Sequence, residues 1–176
     1  MTDRKIPKPA SGEFPPYASM YINLLPDDGH VLQHLEQNVA RVQQHIETLP
    51  AEKLVTPHAP NEWTVKEILV HIIDDERIYA YRALRFARED KTILPGFDQD
   101  TYIRPSKANQ RDLQNIFQEY RAVRMSTITL FESFDDEALM RSGIADGNPP
   151  VTVRALLYHI AGHELHHLES IQTNYG

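Results

Sequence analysis

The chain contains no cysteine among its 176 residues. A disulfide framework, a thiolate metal site, a cysteine nucleophile and a CxxC redox pair are therefore excluded. Long apolar runs are also missing, and the strongest are only a few residues long, such as 68–70, so no segment is expected to cross a membrane. Acidic residues outnumber basic ones, with 25 Asp and Glu against 18 Lys and Arg, which gives a net charge of −7. This balance disfavours nucleic acid as a partner.

The first 26 residues contain five of the twelve prolines and no apolar stretch of signal-peptide length. The lack of such a stretch predicts a cytoplasmic protein. The prolines and the absence of any sustained periodicity predict an extended N-terminal arm over residues 1–26. Residues 27–176 then form one domain of ordinary size.

Apolar residues recur every three or four positions in four segments, which predicts four long amphipathic helices over 28–49, 65–88, 107–133 and 153–173. Strand signals are weak throughout, although a helical turn at 135–140 and a reverse turn at 143–150 are expected. The chain is therefore predicted to be all-α, a four-helix bundle with one long crossover loop over residues 89–106.

Helix starts are marked by residues that cap free backbone N–H groups. Asp27 or Asp28 is expected to begin the first helix, and Ser106 the third. Thr64 and Glu67 have the spacing of a capping box before the second helix, and Thr152 precedes the fourth.

Four of the nine histidines fall between positions 159 and 167, in the last predicted helix. Side chains four residues apart lie one above the other on a helix, so His159/His163 and His163/His167 can each clamp one ion. Helix phase favours His163 and His167, which point toward the apolar face. His159 and His166 are predicted to turn toward solvent.

His71 lies beside the apolar stripe of the second predicted helix. With His163 and His167 it would form a three-nitrogen site with coordination positions left open for water or substrate, which is typical of catalytic zinc sites. Imidazole also binds nickel, copper and iron, so these ligands do not define the metal. The alternative is that the three histidines are solvated or hydrogen-bonded within the core.

Three of the acidic residues that lie within five positions of these histidines in the sequence are candidates for a role at the same site. Glu76 and Glu164 fall on apolar helix faces, where each could orient a ligand imidazole or act as a catalytic proton acceptor. Asp75, four residues after His71, is a candidate for orienting a ligand. Pairing of the two glutamates with a bundle arginine is the alternative, and it is slightly favoured because a bare buried carboxylate is costly. The candidate partners are Arg77, Arg82, Arg85 and Arg154.

The crossover loop carries side chains that could reach over the mouth of the bundle, or that could simply form a Pro-Gly turn with capping acids: Phe97, Asp98, Asp100 and Tyr102. Trp63, at the start of the second helix, is expected to pack as an apolar anchor.

Three segments together resemble the DinB-like (YfiT-like) family of metal-dependent enzymes. They are WTVKEILVHIIDDERIYAYR at 63–82, LPGFDQD at 94–100 and HIAGHELHHL at 159–168. The resemblance implies a four-helix bundle, often a homodimer, with a divalent ion such as zinc or nickel held by three histidines. The positions that match the family's ligands are His71, His163 and His167.

The resemblance also implies an activity on a small-molecule substrate. Many members of the family are called hydrolases without a known substrate, and others transfer a low-molecular-weight thiol cofactor such as bacillithiol or mycothiol. A bundle that binds metal without catalysis, and serves as a binding or structural module, is the third hypothesis.

Overall fold

Four long helices form the body of the computed structural model, which describes residues 4–176. They are α2 (Val31–Glu47), α3 (Val65–Ala87), α5 (Leu113–Glu132) and α7 (Val153–Tyr175). Helix α3 packs against both α5 and α7, and α2 closes the bundle against the same two helices. The prediction of an all-α four-helix bundle is confirmed.

Shorter elements fill the connections between the long helices. Three short α-helices are α1 (Ser19–Ile22), α4 (Gln99–Ser106) and α6 (Asp136–Met140). Turns of 3₁₀ helix occur at Pro16–Ala18, Ala51–Leu54 and Ala108–Gln110. Within residues 4–176 the strands are β1 (Ser142–Gly143) and β2 (Val151–Thr152), which pair antiparallel around the turn before α7. No helix of this described part is long and apolar enough to cross a membrane.

The starts of α3 and α7 follow the sequence prediction. The backbone N–H of Glu67 donates to Thr64 Oγ1 at 3.2 Å, and the backbone N–H of Thr64 donates to Glu67 Oε2 at 2.8 Å. These two bonds are the reciprocal pair of a capping box. The N–H of Ala155 donates to the hydroxyl oxygen of Thr152, which caps α7. Both helices that carry the candidate histidines are therefore fixed at their first turn.

The third long helix starts later than predicted. Asp112, not Ser106, caps α5 by accepting from the backbone N–H groups of Gln114 and Asn115. Lys107 adopts a left-handed backbone with φ +52°, which ends α4 and prevents one continuous helix from 107. The predicted crossover loop is thus partly helical, and Asp98 caps its helix α4.

The first long helix is also shorter than predicted, beginning at Val31 rather than residue 28. Gly29 has a positive φ of +76°, which interrupts the helical path before that point. Asp28 accepts from the backbone N–H of His30 at 2.8 Å, so it stabilises the turn that precedes the helix.

The N-terminal segment is only partly extended, because residues 16–22 form the 3₁₀ turn and α1. Helix α1 packs against α7 at Gly162, where a Cβ atom would lie 2.2 Å from the carbonyl oxygen of Tyr21. Ile6 is fully buried, and its carbonyl accepts from the hydroxyl of Tyr158 at 2.8 Å. The segment therefore covers one side of the helix that carries the histidine cluster.

The apolar core is divided into two clusters along the bundle. One contains the N-terminal segment, the second half of α3 and the first half of α7, and the other contains the first half of α3 and the second half of α7. Buried polar side chains lie between them and form a layer, called here the polar layer: His71, Asp75, Glu76, Arg124, His163 and Glu164. The candidate site thus lies midway along the bundle.

Candidate metal centre

Three histidines from two helices meet in this region. Nε2 of His163 lies 3.1 Å from Nε2 of His71 on α3 and 3.0 Å from Nε2 of His167, one turn further along α7. One ligand atom from each of the three lies within 4.8 Å of the other two. The structure therefore brings together the three imidazoles that the sequence pattern singled out.

Burial keeps these imidazoles neutral at physiological pH. It lowers the pKa of His163 to about 3 and that of His167 to about 2, and it also lowers the pKa of His71. The neighbouring histidines add to the shift at each position, and Asp75 opposes it. A neutral imidazole has a free lone pair on one nitrogen, which is the form that binds a metal.

Asp75 faces the other side of His163. Its Oδ2 atom is buried without a hydrogen bond and lies 3.4 Å from Nδ1 of His163 and 3.7 Å from Nε2 of His159. Burial opposes a charge on Asp75, but the facing imidazoles outweigh it and lower the pKa of the carboxyl to about 2. A carboxylate beside Nδ1 favours the tautomer with its proton there, which leaves the Nε2 lone pair directed at the other two histidines.

The arrangement suits a divalent cation. A single Nε2–H could satisfy only one of the two close nitrogen contacts of His163, whereas one ion can accept all three lone pairs. Two nitrogens that bind one zinc ion at tetrahedral angles lie about 3.3 Å apart, given bonds of about 2.0–2.1 Å. The observed separations of 3.0 and 3.1 Å lie close to that value.

The N-terminal segment shields one side of this cluster. The ring of Tyr21 lies 5.0–5.4 Å from the rings of His159, His163 and His166. His159 was predicted to face solvent, but it is only 4 % exposed and stacks on Tyr79 with a centroid separation of 3.9 Å. The prediction was wrong because helix phase within the bundle gives no sign of a covering segment from residues 16–22.

A cavity of about 350 Å³ lies beside Trp63, and none of the three histidines lines it. The Trp63 ring lies 4.8 Å from that of His71, so the predicted apolar anchor is also a wall of this cavity. Asp100 of α4 lines the cavity as well, and its negative charge favours the protonated form of His71. Of the other loop residues, Asp98 caps α4, and the ring of Phe97 packs on that of Tyr102.

Glu76 and Glu164 bind a buried arginine that the sequence analysis did not consider. Nε and Nη2 of Arg124 donate to both oxygens of Glu76, and Nη2 donates to Glu164 Oε1 at 2.6 Å. The predicted pairing with a bundle arginine is observed, but none of the four proposed arginines is the partner. The available signal was the position of Arg124 on the apolar stripe of α5, between Tyr120 and Ile128.

Most of the chain matches a known protein family. The model of the DinB superfamily matches residues 34–171. The chain belongs to the DinB superfamily. A curated relative from Oceanobacillus iheyensis is 24 % identical over 142 residues, covering 80 % of this chain and 81 % of its own, and is named "Putative metal-dependent hydrolase OB0413".

Two solved structures share the fold of this DinB superfamily chain. YfiT from Bacillus subtilis, described as a probable metal-dependent hydrolase with an unusual four-helix bundle topology, has a TM-score of 0.76 at 18 % identity, over 85 % of this chain and 87 % of its own. The mycothiol-dependent maleylpyruvate isomerase has a TM-score of 0.66 at 8 % identity, over 88 % of this chain and 62 % of its own.

Proposed function

We propose that this DinB superfamily chain is a hydrolase of a small-molecule substrate that uses a divalent ion held by His71, His163 and His167. The convergence of three neutral Nε2 atoms from two helices carries the proposal. The names of the Oceanobacillus and Bacillus relatives support it, since both describe metal-dependent hydrolases. Zinc and nickel are the preferred ions, because both bind imidazole well.

When bound, such an ion supplies Lewis acidity, which polarises a substrate carbonyl and makes a coordinated water more acidic. The protein's own groups do the rest. Asp75 faces Nδ1 of His163 and favours a proton there, Trp63 forms a wall for the substrate, and Asp100 is a carboxylate in the cavity beside Trp63 that can accept a proton.

Glu76 and Glu164 take positioning roles in this proposal. Arg124 engages both carboxylates, so proton transfer by either would require breaking a buried ion pair. Glu164 directly follows His163 on α7, and Glu76 lies on the same helix as His71. Their bonds to one arginine tie the two ligand-bearing helices to α5.

Metal content tests the proposed ligands. After equal zinc loading and desalting, we expect wild type to retain about one ion per chain, and His163→Ala and His167→Ala to lose most of it. His166→Ala is the matched control, because His166 is adjacent in sequence and half-buried. Wild-type retention by both the His163 and His167 variants would overturn the assignment, as would an equal loss on changing His166.

A thiol-dependent transferase using the same three histidines is the second candidate. Its support is the shared fold with a structure described as a mycothiol-dependent isomerase. A substrate screen of the zinc-loaded protein, with and without low-molecular-weight thiols, separates the two functions, because only transfer requires the thiol. Metal binding without turnover in either arm would favour a non-catalytic binding bundle.

The oligomeric state and the cellular location of the protein are also open to test. A homodimer is implied by the family resemblance, and light scattering on the purified protein measures it directly. A cytoplasmic location is the second, and cell fractionation tests it.

A further inference from the structure

Arg82 is a buried cation without an acidic partner. It lies on α3 six residues past Glu76, the last residue of the polar layer on that helix, and it is only 5 % exposed. Within residues 4–176, no carboxylate oxygen lies within 4.0 Å of its nitrogens. Nη2 donates to the carbonyl of Pro95 at 3.2 Å, which uses one of the five N–H groups of the guanidinium.

The other deeply buried arginine among residues 4–176 shows that a missing acidic partner is unusual. Arg124 is 2 % exposed and is bound by two carboxylates. Burial of an unpaired charge is costly, so buried guanidinium groups are normally neutralised in this way. The rings of Tyr79 and Phe97, 4.9 and 5.9 Å from the guanidinium carbon of Arg82, compensate in part through cation–π contacts.

Arg82 lines a small, partly open cavity of about 20 Å³. Its polar wall is formed by Arg82, His159, Asn148 and the hydrogen-bonded pair Tyr17 and Tyr79, and the apolar part includes Phe14 and Val151. Asp146 lies in the same turn as Asn148, but it is exposed and is not part of the wall. The cavity therefore presents positive charge and hydrogen-bond donors, with no carboxylate to fill it.

We propose that this cavity binds the carboxylate group of a small organic anion, with Arg82 as its principal partner. The planar fork of a guanidinium matches the two oxygens of a carboxylate, and the low-dielectric wall strengthens their attraction. The volume suits a group of two or three heavy atoms, whereas a tetrahedral phosphate is larger. The apolar wall suits a short hydrocarbon attached to the carboxylate.

This anion site is distinct from the histidine cluster. None of the three candidate metal ligands lines the cavity. His159 connects the two regions, since it forms part of the cavity wall and its ring lies 5.6 Å from that of His163. The inference does not depend on the proposed metal, so the test can be made on protein free of added metal.

The test uses the full-length protein with sodium acetate, and with sodium chloride and sodium phosphate at matched ionic strength. We expect acetate to shift one arginine ¹⁵Nε resonance in a saturable manner, and the Arg82→Lys spectrum, which lacks that resonance, assigns it. The titration extends to about 100 mM, well above the millimolar Kd expected of so small a ligand. No acetate shift at Arg82 in wild type would overturn the proposal, whether or not any variant folds.

The other anions define the ligand class. An equal response to chloride would mean a site for any small anion, and stronger binding of phosphate would mean a phosphate site; either result would overturn the carboxylate assignment. Arg82→Gln should weaken acetate binding by about tenfold or more, because it removes both the charge and the fork. Arg121→Gln, which removes an exposed cation from α5, should retain wild-type affinity.

Discussion

Nη2 of Arg124 donates to Oε1 of Glu164 across 2.6 Å at the middle of the bundle. The same guanidinium binds Glu76, so one cation faces two carboxyl groups in a fully buried setting. Burial and the nearby charge of Glu76 raise the pKa of Glu164 well above its ordinary value.

Replacement of Arg124 by methionine tests the energetic weight of this arrangement. We expect the free energy of unfolding to fall by about 3–5 kcal/mol, since two buried carboxyl groups lose their cation. Urea denaturation monitored by circular dichroism measures the change. Arg121→Met, on an exposed face of the same helix, should cost no more than about 0.5 kcal/mol. Similar losses in the two variants would mean that the buried pairing contributes little.

Asp75→Asn tests whether the carboxylate orients His163. We expect zinc affinity, measured by competition with a chromophoric chelator, to fall by about 10- to 100-fold, because the amide no longer favours a proton on Nδ1 of His163. The control is Asp74→Asn at the neighbouring position, where the carboxylate pairs with Arg77 at 3.6 Å. An unchanged affinity in the Asp75 variant would remove this residue from the proposed site.

Gly162→Ala separates helix propensity from packing. Alanine in a helix interior is favoured over glycine by about 1 kcal/mol, but here its Cβ would lie 2.2 Å from the carbonyl oxygen of Tyr21. Overpacking of this kind costs about 1–3 kcal/mol, so we expect a net loss of stability. Hydrogen exchange should show faster exchange in residues 19–25. Increased stability with unchanged protection there would disprove the close approach of α1.

Glu13 gives the stability a predictable pH dependence. Hydrogen bonds from Arg154 hold the pKa of its carboxyl below the ordinary 4.5, although burial opposes them. Because the folded pKa is the lower one, the stabilisation is complete above about pH 4.5 and is lost as the pH falls through the folded value. Glu13→Gln should therefore cost about 1–2 kcal/mol at pH 7, and the difference from wild type should shrink below pH 4.5.

The exposed Glu36 provides the control for this pH series. Glu36→Gln is expected to change stability by less than about 0.5 kcal/mol at either pH. Thermal unfolding of the three proteins between pH 3.5 and 7 makes the comparison. A cost for Glu13→Gln that stays constant over the whole range would show that the charge on Glu13 is not what ties the N-terminal segment to α7.

The convergence of the histidines was predictable because it depends on local regularities. Periodicity defines α3 and α7, and the residue spacing places His71, His163 and His167 on the helix faces that meet. The capping residues Thr64 and Thr152 then fix where each helix starts. These features act over a few residues of chain, so the sequence contains them directly.

The partner of the two glutamates was not predictable on the same grounds. Arg124 is 48 residues from Glu76 and 40 from Glu164 along the chain. Which arginine reaches them depends on how far α5 is displaced along its axis relative to α3 and α7, and no local pattern specifies that displacement. The position of Tyr21 over His159 has the same origin, because α1 is too short to show a period.

The polar layer also determines how the helices are positioned along their axes relative to one another. Bundles with an uninterrupted apolar interior can slide by one helical turn, about 5.4 Å, at modest cost. Here such a slip would separate Glu76 from Arg124 and leave their charges unpaired in the apolar core. It would also move His71 away from His163. The buried ion pairs of Arg124 thus fix the helices at the one axial position in which the rings of His71, His163 and His167 meet.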